Sequence, residues 1–137
     1  MLTKNVLDVG NCDPDHAAIR GLLSAGFNAT IDRVMFVPEA LRALNAKKYD
    51  LVLVNRLIFA DRSDGLALVT AMKSHPQHAA IPVMMISNFP DAQQRAIAAG
   101  AVPGFGKAAL WATETIGTLA KYLTLKTGPA TQTSPTG

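Results

Sequence analysis

Short apolar runs alternate along the chain with longer segments in which apolar residues recur every three or four positions. The runs are typical of strands that are buried on both faces, and they lie at residues 6–9, 29–35, 51–54, 81–86 and 102–105. The intervening segments predict helices over residues 13–26, 91–99 and 107–123, and two more that begin at Pro38 and after Gly65. Five strand-then-helix units predict an α/β domain over residues 1–125, with a parallel sheet covered by helices.

Composition limits the classes of function. Hydrophobic residues make up 49% of the 137 residues and charged ones 17%, as in a globular domain, whereas residues 126–137 have the composition of a disordered tail or a linker. The net charge of +3 is spread along the chain rather than gathered with aromatic residues, so we expect no direct contact with nucleic acid. We expect no membrane contact because no apolar run reaches spanning length, and the single Cys12 fits a reducing cytoplasm.

Polar residues stand where the predicted strands end. In a parallel α/β sheet, function gathers at the carboxyl ends of the strands. The residues at those ends are Asn11, Cys12, Asp13, Asn55, Ser87 and Lys107. No nucleophile, base and orienting group come together among them, so we expect a domain that is not an enzyme. His75 and His78 have Pro76 between them and no third ligand, which argues against a zinc site.

Four segments, in order, resemble the receiver domain of bacterial two-component response regulators. GNCDPDHAAIRGLL stands where that family has an acidic pair before its first helix, and YDLVLVN matches the strand that ends in the phosphoaccepting aspartate. IPVMMIS matches the strand that ends in Ser or Thr, and AIAAGAVPGFGK matches the stretch that ends in lysine. The resemblance covers residues 4–123 and implies a flavodoxin-like, doubly wound (βα)5 three-layer sandwich with parallel strands in the order 2-1-3-4-5. It also implies cytoplasmic phosphorelay signalling, with a sensor kinase or an effector domain as partner.

The residues that carry the family's chemistry are only partly present. In receiver domains a metal ion held by carboxylates assists phosphoryl transfer to an aspartate, while a hydroxyl and a lysine hold the phosphoryl oxygens. By resemblance, Ser87 and Lys107 match the hydroxyl and the lysine. Asn55 stands at the phosphoacceptor position, and Asn11 and Cys12 stand where the acidic pair belongs.

These replacements predict a pseudo-receiver that signals through protein contacts. An amide is a weak nucleophile, so Asn55 should form no acyl phosphate. Magnesium prefers hard, anionic oxygens, and Asp13 is the only carboxylate expected nearby, so Mg²⁺ binding should be weak or absent. The loop at residues 56–63 is longer than is usual in the family, lacks its proline and adds two arginines. Asn55 either accepts a hydrogen bond from Lys107 and imitates a ligated state, or simply fills a polar pocket.

Two other functions stay open on the sequence alone. A relocated phosphoacceptor, Asp61 or Asp64, would keep phosphorylation, although Asp64 is placed like a helix cap. Alternatively, a pocket of Cys12, Ser87 and Lys107 would sense a ligand or a redox change, since a thiol before a helix and near a lysine favours the thiolate.

The last predicted helix carries a separate stripe of residues, namely Trp111, Thr115, Thr118 and Tyr122. In the resembled family, the face formed by the fourth helix, the fifth strand and the last helix contacts partners and forms homodimers. Trp111 and Tyr122, with Phe105 in the fifth strand, are therefore candidates for the switch or the interface. The alternative is that the aromatic residues pack against the tail or the preceding helix. His16 is expected to face solvent from the first helix.

Overall fold

The computed structural model describes residues 3–126, so the predicted tail, apart from Lys126, lies outside the described residues. Within that range the elements follow in the order β1 (Lys4–Val9), α1 (Asp13–Gly26), β2 (Phe27–Val34), α2 (Val37–Ala46), β3 (Leu51–Asn55), α3 (Leu66–Ser74), β4 (Val83–Ile86), α4 (Pro90–Ala98), β5 (Val102–Phe105), α5 (Thr113–Ala120) and β6 (Thr124–Leu125). No helix in residues 3–126 is both long and apolar enough to cross a bilayer.

The predicted α/β architecture is confirmed, with one addition at the edge of the sheet. The five predicted strands are parallel and have the order 2-1-3-4-5. The unpredicted β6 pairs antiparallel with the outer edge of β2, where Leu125 lies opposite Phe27. The direction of winding reverses between β1 and β3, and doubly wound folds bind ligands beside the carboxyl ends of such strands.

Two apolar cores lie on opposite faces of the sheet, because successive residues of a strand point to opposite sides. In β3, Val52 and Val54 belong to the core formed with α2, α3 and α4, whereas Leu51 and Leu53 belong to the core formed with α1 and α5. All four side chains are fully buried, which accounts for the uninterrupted apolar run. The run carries Asn55 to the carboxyl edge of the sheet.

The last helix is shorter than predicted. Residues 107–109 form a single 3-10 turn, and α5 begins only at Thr113. The helix does not run through because the Thr115 hydroxyl donates a hydrogen bond to the carbonyl oxygen of Ala109 (2.6 Å) and because Ala112 is extended, with φ −69° and ψ 149°. The apolar periodicity of residues 107–123 therefore continues across the break between the turn and α5, and it gives no sign of that break.

The prediction of a single aromatic stripe on this helix is consequently wrong. Trp111 lies in the turn before α5 and is 63% exposed, whereas Thr115 is buried. Tyr122 follows the end of α5 and is half-buried against the core on that side of the sheet. The two aromatic residues do not share a helical face.

A buried histidine lies in the connection between α3 and β4. The side chain of His78 is almost fully buried, and its two ring nitrogens find no hydrogen-bond partner among residues 3–126. Its ring stacks on that of His75, with 4.1 Å between the ring centroids. Burial, and to a lesser extent the charge of His75 when protonated, lower the pKa of His78 below its ordinary value of 6.5.

We expect this histidine to make the fold sensitive to acid. Because its pKa is lowered in the native state, the native chain binds fewer protons at this site than the unfolded chain, so stability is lost as the pH falls below about 6.5. Urea unfolding of the wild type and of His78→Leu at about pH 7.5 and about pH 5.5 measures the effect. The wild type should lose more stability between the two pH values; an equal loss in both proteins would contradict the assignment.

Candidate functional site

The carboxyl ends of β1, β3, β4 and β5 surround a cavity of about 280 Å³. It is lined by four of the residues that the sequence singled out, Cys12, Asn55, Ser87 and Lys107. They meet because parallel strands end side by side at one edge of the sheet. The loop after β3 adds further side chains, and so does the connection from β4 to α4; these are Arg56, Leu57, Phe59, Arg62, Asn88 and Phe89.

The carboxylate of the cavity is Asp15, which the sequence analysis did not single out. Asp15 lies in the first turn of α1, and its Oδ2 is 2.6 Å from Nζ of Lys107. The same oxygen accepts a hydrogen bond from Sγ of Cys12 at 3.1 Å. Partial burial by itself would raise the pKa of Asp15, but the hydrogen bonds from Lys107 and Cys12 and the charge of Lys107 hold it below its ordinary value of 3.8. Lys107 is thus already paired with a carboxylate.

Asn55 is held at both ends of its amide. Its Nδ2 donates to the carbonyl oxygen of Gly10 at 3.2 Å, and its Oδ1 accepts from Nζ of Lys107 at 3.4 Å. The second contact is long compared with the pairing of Lys107 and Asp15. Asn55 is therefore a neutral, fixed group between β1 and Lys107, and the contact with Lys107 that the sequence left open is present.

Asn11 and Asp13 lie outside the cavity. The Asn11 side chain is fully buried and points to Asp8, whose Oδ1 accepts a hydrogen bond from Asn11 Nδ2 at 2.5 Å. Asp13 is 88% exposed and pairs with Arg33 at 2.7 Å. The prediction that Asp13 supplies the nearby carboxylate is therefore corrected, because the first turn of α1 directs Asp15 to the cavity and Asp13 away from it.

A buried polar cluster beneath α1 was missed. Asp8, in the middle of the apolar strand β1, is fully buried, and its Oδ2 is 2.6 Å from Nδ1 of His16. The expectation that His16 faces solvent is wrong, since its side chain is only 16% exposed. The signal was Asp8 itself, because a carboxylate inside a buried strand needs a partner.

The two aspartates of the loop after β3 serve the loop itself. Asp61 accepts hydrogen bonds from the Ser63 hydroxyl (2.6 Å) and backbone N–H (3.0 Å), which lower its pKa. Asp64 accepts from the backbone N–H of Leu66 at 2.9 Å, as a residue at the start of a helix does. Neither lines the cavity of Asn55 and Lys107.

Comparison with solved structures identifies the fold. NtrX from Brucella abortus superposes with a TM-score of 0.72 at 25% identity, over 88% of this chain and 27% of that one. The receiver domain of NtrX gives a TM-score of 0.69 at 28% identity, over 85% and 94% of the two chains. The chain has the fold of a response-regulator receiver domain.

A chemotaxis response regulator has the same fold. The chemotaxis response regulator CheY4 of Vibrio cholerae superposes with a TM-score of 0.71 at 20% identity, over 89% of this chain and 100% of that one. The chain spans about a quarter of full NtrX, 27% of its length. No family model matches the sequence. The search of curated proteins found no match either.

The cavity does not fit the magnesium ion that receiver chemistry implies. Its possible donors are the thiol of Cys12, the amide oxygen of Asn55 and the carboxylate of Asp15, which is paired with Lys107. Across residues 3–126, no group of three or more His, Cys, Asp or Glu side chains assembles into a metal site. Magnesium prefers several hard oxygen ligands in octahedral geometry. The cavity instead places a soft thiol ligand next to cationic side chains, which repel a metal ion.

The aromatic residues considered for the switch or the interface occupy three different environments. Phe105 ends β5 and is buried in the core, opposite Ile86 of β4. Tyr122 is half-buried, and Trp111 is largely exposed. Ile97 on α4 is also exposed, at 43%. Among the large apolar side chains of α4, β5 and residues 107–120, the exposed ones are therefore Ile97 and Trp111.

Proposed function

We propose that the chain is a pseudo-receiver, a bacterial cytoplasmic domain of two-component phosphorelay signalling that acts through protein contacts without aspartyl phosphorylation. The observation that carries the proposal is Asn55. It ends β3 at the edge where the polar residues converge, and both ends of its amide are engaged, by Gly10 and by Lys107. A neutral amide in this place offers no nucleophile for phosphoryl transfer.

The surroundings of Asn55 support the same function. Lys107, which matches the phosphoryl-holding lysine of the family, is paired with Asp15. Asp61 and Asp64 lie outside the cavity and are engaged in the turns of their own loop, so neither is placed to act as a relocated phosphoacceptor. The domain is thus proposed to be non-enzymatic and to work without Mg²⁺.

The proposed partner is a sensor kinase or an effector domain, bound at the face of α4, β5 and α5. Trp111 and Ile97 would anchor it, since large exposed aromatic and apolar side chains often carry most of the binding energy of an interface. The same face would serve a homodimer. Without phosphorylation, the conformation of the domain shifts only as far as a partner binds one state better than another.

Backbone NMR spectra of the labelled chain test this function. Adding acetyl phosphate and Mg²⁺ should leave the amide signals of Asn55, Ser87 and Lys107 and of β5 and α5 in place. Trp111, the single tryptophan of the chain, supplies a second signal through its indole N–H. Shifts in these signals that depend on both reagents would contradict a phosphorylation-independent domain.

A further inference from the structure

The lining of the cavity carries more positive than negative charge. Three cations line it, Arg56, Arg62 and Lys107, against the single carboxylate of Asp15. Lys107 is paired with Asp15, whereas neither arginine lies within ion-pair distance of a carboxylate in residues 3–126. The excess is two guanidinium charges. A guanidinium presents its donors in a planar fork that matches the oxygens of a phosphate or carboxylate group.

Two exposed aromatic rings also line this cationic cavity. Phe59 is 58% exposed and Phe89 is 60% exposed. The guanidinium of Arg56 lies 5.3 Å from the centroid of the Phe89 ring, a cation–π contact that holds the arginine in position. Large exposed apolar side chains beside a polar cavity are typical of a ligand site rather than of a plain surface.

The loop holds Arg62 in a conformation that costs energy. Its φ is 61°, in the left-handed region that residues with a side chain seldom adopt. The turn is closed by a hydrogen bond from the Arg62 backbone N–H to the carbonyl oxygen of Ile58 at 2.7 Å. Such conformations persist where the surrounding structure imposes them, and they concentrate at sites of function.

We propose that this cavity binds a small aromatic phosphate monoester, reversibly and without a metal ion. Arg56 and Arg62 would hold the phosphate oxygens, because a monoester carries close to two negative charges at neutral pH, which matches the uncompensated charge. Ser87 supplies a further donor, since its Oγ accepts from the Phe89 backbone N–H and its own hydroxyl hydrogen stays available. The aromatic ring of the ligand would cover Phe59 and Phe89.

The size of the cavity and the identity of Asn55 define the ligand further. A cavity of about 280 Å³ takes a phosphate group and one ring rather than a larger molecule. Asn55 does not attack the phosphorus, so the ligand stays intact and leaves unchanged. The inference goes beyond the proposed function. The ligand would affect binding of the partner protein if the domain bound the ligand more tightly in one of its conformations.

Calorimetric titration with phenylphosphonate tests the inference. This probe keeps the ring and the charged group but cannot transfer a phosphoryl group, and EDTA in the buffer removes divalent cations, so the result does not depend on phosphorylation. Phenylphosphonate should bind at least about tenfold more tightly than inorganic phosphate, and benzyl alcohol should not bind. Equal binding of phenylphosphonate and inorganic phosphate, or no binding of either, would overturn the proposal.

Matched variants separate the site from general charge effects. Arg56→Gln and Arg62→Gln should each weaken phenylphosphonate binding about tenfold, whereas Arg42→Gln, an exposed arginine on α2, should leave it unchanged. Phe59→Ser should weaken phenylphosphonate and leave inorganic phosphate as it was. Arg62→Gly removes the side chain at a positive φ, a conformation that glycine adopts without steric cost. This variant should lose phenylphosphonate binding, yet it should unfold at the same urea concentration as the wild type or a higher one. Unchanged binding in the two glutamine variants would overturn the assignment.

Discussion

Replacing His16 with leucine is expected to destabilise the fold by about 3 kcal/mol, although His16 does not line the cavity. The Asp8 carboxylate is fully buried in β1 and has two side-chain partners, His16 at 2.6 Å and Asn11 at 2.5 Å. Removing the histidine leaves Oδ2 of this buried carboxyl group without its side-chain partner, so that only the Asn11 amide still contacts Asp8. Breaking such a pair costs far more than a surface ion pair contributes.

A double-mutant cycle gives this prediction its control. In Asp8→Val/His16→Leu both members of the pair are replaced by apolar side chains. The double variant should therefore lose less free energy of unfolding than the two single variants lose together, by about 1 kcal/mol or more. Urea unfolding of the four proteins measures the coupling. Single effects that simply add, within about 0.5 kcal/mol, would show that Asp8 and His16 do not depend on each other.

Gly65→Ala is expected to destabilise the fold by about 3 kcal/mol and to displace Asn55. A Cβ on residue 65 would overlap the backbone carbonyl oxygen of Asn55 and would lie 3.1 Å from Cγ2 of Val54. The backbone of residue 65 cannot retreat easily, because its N–H donates to the carbonyl oxygen of Arg56 at 2.8 Å. The end of β3 must therefore move, and with it the Asn55 amide that contacts Lys107.

Gly21→Ala is the matched control for this variant. Gly21 lies inside α1, and a Cβ there would meet nothing within 4 Å. Alanine in a helix interior should stabilise by about 0.5–1 kcal/mol. Urea unfolding of both variants, with the Asn55 amide signal read by NMR, separates the steric effect from the general cost of replacing glycine. A Gly65→Ala protein as stable as the wild type would show that residue 65 does not pack tightly against the end of β3.

The fold was largely accessible from the sequence, for reasons visible in particular residues. Residues 51–54 are apolar without alternation because the strand is covered on both faces, and that pattern admits few other structures. The break before α5 was not accessible. It depends on the Thr115 hydroxyl reaching the Ala109 carbonyl, a contact that helical periodicity does not encode. The strand β6 is two residues long and carries no pattern of its own.

The sequence predicted which residues meet at the candidate site better than it predicted which side chains pair with each other. Cys12, Asn55, Ser87 and Lys107 converge because parallel strands end at one edge. Asp13 and Asp15 are two residues apart at the start of α1 and point in different directions, and only the packing of α1 on the sheet decides which of them meets Lys107. The pairing of Asp8 with His16 likewise joins a strand to the following helix, so Asp8 signals that a partner is needed but not which residue supplies it.

Intact mass after incubation with acetyl phosphate and Mg²⁺ shows directly whether the native chain accepts a phosphoryl group. The comparison is a Cys12→Asp/Asn55→Asp variant, which adds two carboxylates beside Asp15, Ser87 and Lys107. We expect no mass gain in the native chain and a gain in the variant, where an acceptor and metal ligands are present. A phosphoryl group on any aspartate of the native chain would contradict it.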